Sequence, residues 1–337
     1  MKKILLLILF IVPVLFGLTS VKEEHEKIKG VNFVSPVKKI YSNCITPVKR
    51  INANWIALCP FAFMSPGNPK VEYDINKNWW GDCPEGICKL TECSKTCRQK
   101  ILLKPHFWVD QQGWPGDYDL DNKNWLIWEN NYRKFMLKLA HVADSMNIEM
   151  LSIGAEFKTA TQKRPQFWSN LIDTLRKVYK GKLTYAANWD EYNTITFWHK
   201  LDYIGVDAYF PLINTETPGV DELQKEWKKV IVSLEGISKK YNKKILFTEY
   251  GYRSINNCAW RQWEIENVAV DKNINLAGQQ NAYEALYNAV WNKEWFAGGF
   301  LWKWFDKDTE AGGIKNSDYT PQNKPAEKII QKWYSTK

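Results

Sequence analysis

Two hydrophobic periods alternate along this chain. Short apolar runs bounded by turn residues give way, again and again, to stretches with apolar positions three and four apart. The clearest helical face runs through Trp128, Tyr132, Phe135, Met136, Leu139, Val142, Ala143 and Met146. The short runs carry apolar residues on both faces, which is the pattern of a parallel sheet covered on both sides. Strands are expected at 30–34, 54–59, 101–106, 149–156, 183–188, 202–209, 244–249 and 300–304. Helices are expected at 46–52, 84–100, around 128–146, 167–179, 223–241, 277–291 and 324–334, and residues 60–80 read as a loop. Eight strands separated by helical stretches predict an α/β chain forming a single (β/α)8 TIM barrel over 30–337. No Gly-rich fingerprint follows the first strand, which argues against a dinucleotide fold.

Two of the apolar runs deliver a carboxylate. Lys244-Ile245-Leu246-Phe247-Thr248-Glu249 is followed by Gly251, and Glu149-Met150-Leu151-Ser152-Ile153-Gly154-Ala155 leads to Glu156. An acid at the end of a buried strand is either paired or chemically active. In a parallel barrel the C-terminal strand ends converge on one mouth. Here they bring Phe33, Phe61, His106 with Trp108, Glu156, Asn188 with Trp189, Asp207 with Tyr209, Glu249, and Trp302 with Trp304. Trp302 and Trp304 share a strand face in this reading, as platform or as barrel filling. Asp190 and Glu191 lie past the fifth strand and read as loop-stabilising, while Phe63 and Trp114 stand open as further contacts.

Composition narrows the chemistry. The 18 Trp, with 16 Tyr and 15 Phe, exceed what packing alone requires. Carbohydrates present C–H faces to aromatic rings and hydroxyls to polar groups, so a neutral polysaccharide or oligosaccharide is the expected partner. No Ser-His-Asp order, phosphate loop or metal-spaced His pair competes, and no metal or cofactor is expected from only four His. Two carboxylates across a glycosidic bond are the machinery of its hydrolysis, and strands four and seven can face each other with retention of configuration. The net charge of +9 comes from Lys residues scattered over helical stretches, so no nucleic-acid partner is expected, and the chain is read as a monomer. Cys83, Cys88, Cys93 and Cys97 lack zinc-knuckle spacing, and seven Cys leave at least one thiol without an intramolecular disulfide.

At the N-terminus Lys2-Lys3 precede the apolar run 4–16, with Gly17, Thr19 and Ser20 behind it. That pattern predicts a signal peptide over 1–20, followed by a polar leader at 21–29, and implies export with no stable membrane span after cleavage, an uncleaved membrane anchor being the alternative.

Four stretches together resemble glycoside hydrolase family 113. They are Leu103-Lys104-Pro105-His106-Phe107-Trp108, Leu183-Thr184-Tyr185-Ala186-Ala187-Asn188-Trp189-Asp190-Glu191, Thr248-Glu249-Tyr250-Gly251-Tyr252, and Gly298-Gly299-Phe300-Leu301-Trp302-Lys303-Trp304. The resemblance spans about residues 30–305. It implies a retaining (β/α)8 glycosidase, chiefly an endo-β-1,4-mannanase, with Glu156 as acid/base and Glu249 as nucleophile. Tyr209 resembles the residue that steadies the nucleophile, and Trp302 or Trp304 the platform beneath the sugar. One departure stands out: the wider clan places an Asn before the acid/base to read the sugar's 2-hydroxyl, and this chain has Ala155. Asn188 and His106 are the candidates to replace it. An exo-acting β-mannosidase, a β-1,4-glucanase and a non-catalytic sugar-binding barrel are the alternatives.

Overall fold

The computed structural model describes residues 26–41, 44–73, 79–265 and 273–336. The expected signal peptide at 1–20 and the first half of the leader fall outside the described residues. In chain order the elements begin with β1 (Ile28–Phe33), β2 (Trp55–Leu58), β3 (Phe61–Ser65), β4 (Asn68–Glu72) and α1 (Pro84–Thr96). Then follow β5 (Lys100–Leu103), β6 (His106–Val109), α2 (Asn122–Ser145), β7 (Met150–Ala155), α3 (Lys158–Lys163) and α4 (Pro165–Val178). The last third holds β8 (Lys182–Asn188), β9 (Ile204–Asp207), α5 (Val220–Tyr241), β10 (Ile245–Tyr250), α6 (Leu276–Val290), β11 (Phe296–Trp304) and α7 (Pro325–Tyr334).

Strands β1, β2, β5, β7, β8, β9, β10 and β11 close a parallel barrel, with β11 returning to β1. The expected (β/α)8 architecture is therefore the observed one. Alternation sorts the side chains into two cores. Ile56 and Leu58 join the large core between strands and helices, whereas Trp55, Ala57, Leu102, Met150, Leu246 and Phe300 fill the lumen. Long helix α2 starts where Asp121 accepts a hydrogen bond from the Asn124 N–H, at 2.9 Å.

Four differences from the expected elements matter for the site. The third strand does not run through to residue 106. Pro105 has no N–H to continue the ladder, so β5 stops at Leu103 and His106 opens β6, which pairs with β3 in a separate three-stranded sheet. The stretch 60–80 is accordingly not all loop, since β3 and β4 form a hairpin within it. The first strand begins at Ile28, inside the expected leader. Finally, β11 carries a bulge: Asn32 and Phe33 of β1 oppose Trp302 and Trp304, leaving Lys303 as the extra residue. A bulge of one residue reverses which face the following side chain takes. Trp302 and Trp304 therefore do not share a face.

A third of the 18 Trp are also accounted for differently from their expected use. Trp125, Trp128, Trp168, Trp198, Trp227 and Trp304 are fully buried. Trp128 and Tyr132 of α2 form, with Phe157, Phe167 and Trp168, one continuous aromatic layer. Gly154 on β7 is required by that layer, because a Cβ there would stand 2.7 Å from the Tyr132 hydroxyl, which donates to the Ile153 carbonyl.

Candidate active site

Glu249 lies within β10, in register with Asp207 on β9, and is almost fully buried. Its Oε1 accepts from the Lys104 ammonium and lies 3.1 Å from His106 Nε2. Its Oε2 accepts from the Tyr209 hydroxyl at 2.7 Å. Burial alone would raise this carboxyl, but the Lys104 charge and the His106 and Lys104 contacts outweigh it, and Glu249 is held well below the usual carboxylate range.

Glu156 is handled in the opposite way. It sits one residue past β7 in the left-handed backbone region, with φ of 57°, while its N–H donates to the Ala186 carbonyl at 2.8 Å. That conformation is costly for a residue with a Cβ, and such strain tends to collect at functional sites. Its Oε2 accepts from the Trp114 indole N–H at 2.9 Å. Burial, then the charges of Asp207 and Glu249, push its carboxyl well above the ordinary value, with Lys104 opposing. The two carboxyls are thus shifted in opposite directions. This pairing fits a nucleophile and an acid catalyst.

His106 stacks on Trp302, with ring centroids 5.3 Å apart and planes 20° off parallel. Its Nε2 is 2.9 Å from Lys104 Nζ, and burial with the Lys104 charge lowers its proton affinity. The Lys104 ammonium itself lies over the Trp302 ring, 5.8 Å from its centroid. Trp302 is half-buried and faces this cluster, consistent with a platform.

Three of the expected site residues have other surroundings than a sugar-facing role requires or shows. Trp304 is fully buried, with the Arg50 guanidinium over its ring at 5.6 Å, so it offers no face to a sugar. Asn188 ends β8, but its amide donates to Asp190 at 3.1 Å and its oxygen accepts from the Trp189 N–H at 2.9 Å, which turns it toward its own loop. Trp108 is half exposed on β6, opposite Phe63 of β3 and against the 113 turn. Asp190 and Glu191 are loop braces as expected: Asp190 pairs with Lys158, and Glu191 accepts from Thr161, Tyr185 and the Asn188 N–H.

The residues that sequence reasoning passed over are Lys104 and, as a partner of Glu156, Trp114. Lys104 had a visible signal. It is a charged residue at the end of the buried run Ile101-Leu102-Leu103, the same anomaly that singled out Glu249. Trp114 sits in an irregular stretch with no period to place it.

Among the described residues no group of three or more His, Cys, Asp or Glu side chains is arranged to hold a metal ion, and no helix is long and apolar enough to cross a membrane.

Comparison with known proteins bears on the family and the fold. The family model described as Glycoside Hydrolase Family 113 matches residues 38–324. Among solved structures, a family 113 β-mannanase from Alicyclobacillus acidocaldarius, in complex with ManMIm, superposes with a TM-score of 0.79 at 24% identity, covering 92% of this chain and 97% of that one. A second family 113 β-1,4-mannanase complex also gives 0.79, at 23% identity over 93% of this chain and 100% of its own. A β-glucuronidase from Ruminococcus gnavus shares the fold more distantly, with a TM-score of 0.61 and 11% identity over 92% of this chain and 50% of its own. At these identities the structural likeness speaks for the fold. No curated protein sequence matches this chain.

Proposed function

Because this chain belongs to glycoside hydrolase family 113, we propose that it cleaves β-1,4-linked mannan chains internally by double displacement, with Glu249 as nucleophile and Glu156 as acid/base. The observation that carries the assignment is the pair of glutamates from β7 and β10 at one barrel end, Glu249 held by Lys104 and Tyr209 and Glu156 by the Trp114 indole, with carboxyls shifted in opposite directions. Solved family 113 β-1,4-mannanases with the same fold support the choice of substrate.

In the first step Glu249, oriented by Tyr209 and Lys104, attacks the anomeric carbon while Glu156 protonates the leaving oxygen. In the second step Glu156, now a carboxylate, takes a proton from water, which attacks the same carbon from the opposite side to the ester and restores the β configuration. Trp302 supplies the face under the sugar at the cleavage point. His106, beside Glu249, is left as the group to meet the 2-hydroxyl, since the Asn188 amide is held by its own loop.

Leaving-group chemistry separates the two roles. With an activated aryl β-mannoside, Glu156→Ala should still form the ester, and azide should restore turnover and give the β-mannosyl azide. Glu249→Ala should lose all turnover, and azide should give the α-anomer. The reverse pattern of anomers would show the residues swapped. Product sizes from mannan, glucomannan and cellulose test internal cleavage and sugar preference together. Export rests on Lys2-Lys3 and the apolar run behind them; a secreted protein whose N-terminal residue lies near 18–20 would support it, and a cytosolic full-length chain would overturn it.

A further inference from the structure

Forming the glycosyl ester moves a negative charge from one glutamate to the other. Double displacement, the reading on which this inference rests, turns Glu249 from a carboxylate into a neutral ester, while Glu156 gives up its proton and becomes a carboxylate. The two places are not furnished alike. At Glu249 the charge is met by the Lys104 ammonium, by the Tyr209 hydroxyl at 2.7 Å and by His106 Nε2 at 3.1 Å. At Glu156 the Trp114 indole N–H, 2.9 Å from Oε2, is the one hydrogen-bond donor to the carboxyl among the described residues. The charges of Asp207, Glu249 and Glu191 oppose a carboxylate there, and Lys104 favours it.

Trp114 is built into its position. It lies between β6 and α2, where Val109 and Gly113 form a bridge and the Gln112 amide donates to the Trp114 carbonyl at 3.2 Å. Pro115–Asp117 then make one 3-10 turn, closed by the Tyr118 N–H on the Pro115 carbonyl at 3.1 Å. The Tyr118 hydroxyl ties this turn to β4 through the Asn68 carbonyl, at 2.6 Å. Buried Gly116 makes room for the indole, since a Cβ there would stand 2.2 Å from the ring. An indole N–H donates and never accepts. The oxygen it holds, Oε2, is therefore the carbonyl oxygen of the protonated acid, and the proton belongs on Oε1.

We propose that Trp114 is the positioning residue of the acid/base: its indole N–H holds Oε2, reserves Oε1 for the proton in transit, and stabilises the charge that arrives on Glu156. In the first step a Glu249 oxygen bonds to the anomeric carbon as the bond from that carbon to the leaving oxygen breaks. The electron pair of the broken bond stays on the leaving oxygen, which takes the proton from Oε1. The electron pair of the O–H bond remains on Glu156, and the Trp114 contact becomes a hydrogen bond to an ionised acceptor, roughly twice as strong as a neutral one. The contact is thus stronger in the transition state than in the free enzyme, which is the condition for an interaction to speed the step. In the second step the water oxygen bonds to the anomeric carbon and its proton passes to Oε1. The ester bond breaks with its electron pair returning to Glu249.

Aryl β-mannobiosides of graded leaving-group acidity provide the test, since a dinitrophenolate leaves without a proton and a phenolate needs one. Trp114→Phe removes the N–H, and replacement of Trp114 by 3-benzothienylalanine removes it while keeping the shape of the ring. In both, the loss of kcat/KM should be about 10–100-fold greater for the phenyl substrate than for the dinitrophenyl one. The basic limb of the phenyl kcat/KM profile should move up by about half a unit to one unit, because the charged form of Glu156 loses its donor. Gly116→Ala, which displaces the ring and keeps the N–H in the chain, should show the same dependence on the leaving group. Equal losses on every leaving group, with KM raised, would make Trp114 a sugar contact and overturn the inference, as would an unmoved basic limb. Azide rescue of Glu156→Ala addresses the acid/base reading separately. Without rescue that reading falls and takes this one with it, whereas rescue beside an unmoved limb in the Trp114 variants removes this inference alone.

Discussion

Trp302 and Trp304 are two residues apart and do different work, because one bulge turns them to opposite faces. Trp302→Ala should lower kcat/KM by about tenfold or more with little change in Tm, as a half-buried platform is lost. Trp304→Ala should instead cost about 3–5 kcal/mol of stability by opening a core cavity, measured by urea unfolding, with activity falling only as the fold does. Tyr209→Phe removes one hydrogen bond to an ionised acceptor, a loss of about 1.5–3 kcal/mol in transition-state stabilisation. The same change should move the acid limb of the pH–rate profile upward, because the Tyr209 hydroxyl favours the charged form of Glu249. An unmoved acid limb would show that Tyr209 does not tune the nucleophile.

Between residue and barrel lies the brace after β8. Glu191 is fully buried and accepts from Thr161 on α3, Tyr185 on β8 and the Asn188 N–H. The Tyr185 hydroxyl in turn accepts from the Phe157 N–H, the residue next to Glu156, at 2.7 Å. Burial raises Glu191 to about 7 against those hydrogen bonds. A carboxyl with a raised folded value stabilises fully below its ordinary value, and that contribution is lost as pH rises through about 7. The loss should be on the order of 3 kcal/mol between about pH 4.5 and 7.5. Urea unfolding of wild type and Glu191→Gln over this range should show the slope in the wild type and a flatter line in the variant. Parallel lines would remove Glu191 as the source.

At the scale of the molecule, the two ends of the described chain are stitched together through the barrel wall. The Tyr334 hydroxyl on α7 donates to the Gly30 carbonyl of β1 at 2.8 Å and shares a 2.6 Å contact with the Tyr250 hydroxyl of β10. Tyr250 lies one residue past the nucleophile, so the closing helix supports the strand that carries it. Tyr334→Phe leaves buried polar groups without a partner and should cost about 1–3 kcal/mol. The loss should appear as a lower unfolding midpoint, with kcat near wild type at temperatures where the protein is folded. A variant of unchanged stability would show that α7 closes the barrel by packing alone.

The apolar runs and their spacing by helical stretches determined the barrel, because parallel strands buried on both faces have few other ways to cover themselves. The same runs determined Glu156 and Glu249, since a carboxylate ending a buried strand is conspicuous in one dimension. The ends of the other expected strands brought Tyr209, His106 and Trp302 into the same set, and the structure gathers all of them around Glu249. The sequence did not separate Trp302 from Trp304, because a bulge is a property of two strands in register and leaves no local signature. Nor did it show the Asn188 amide held by Asp190, which depends on where that residue lands after the strand ends. The opposite shifts of the two glutamates were decided last of all. They follow from Lys104, distant in sequence and adjacent in space, lying against one carboxylate and not hydrogen-bonded to the other.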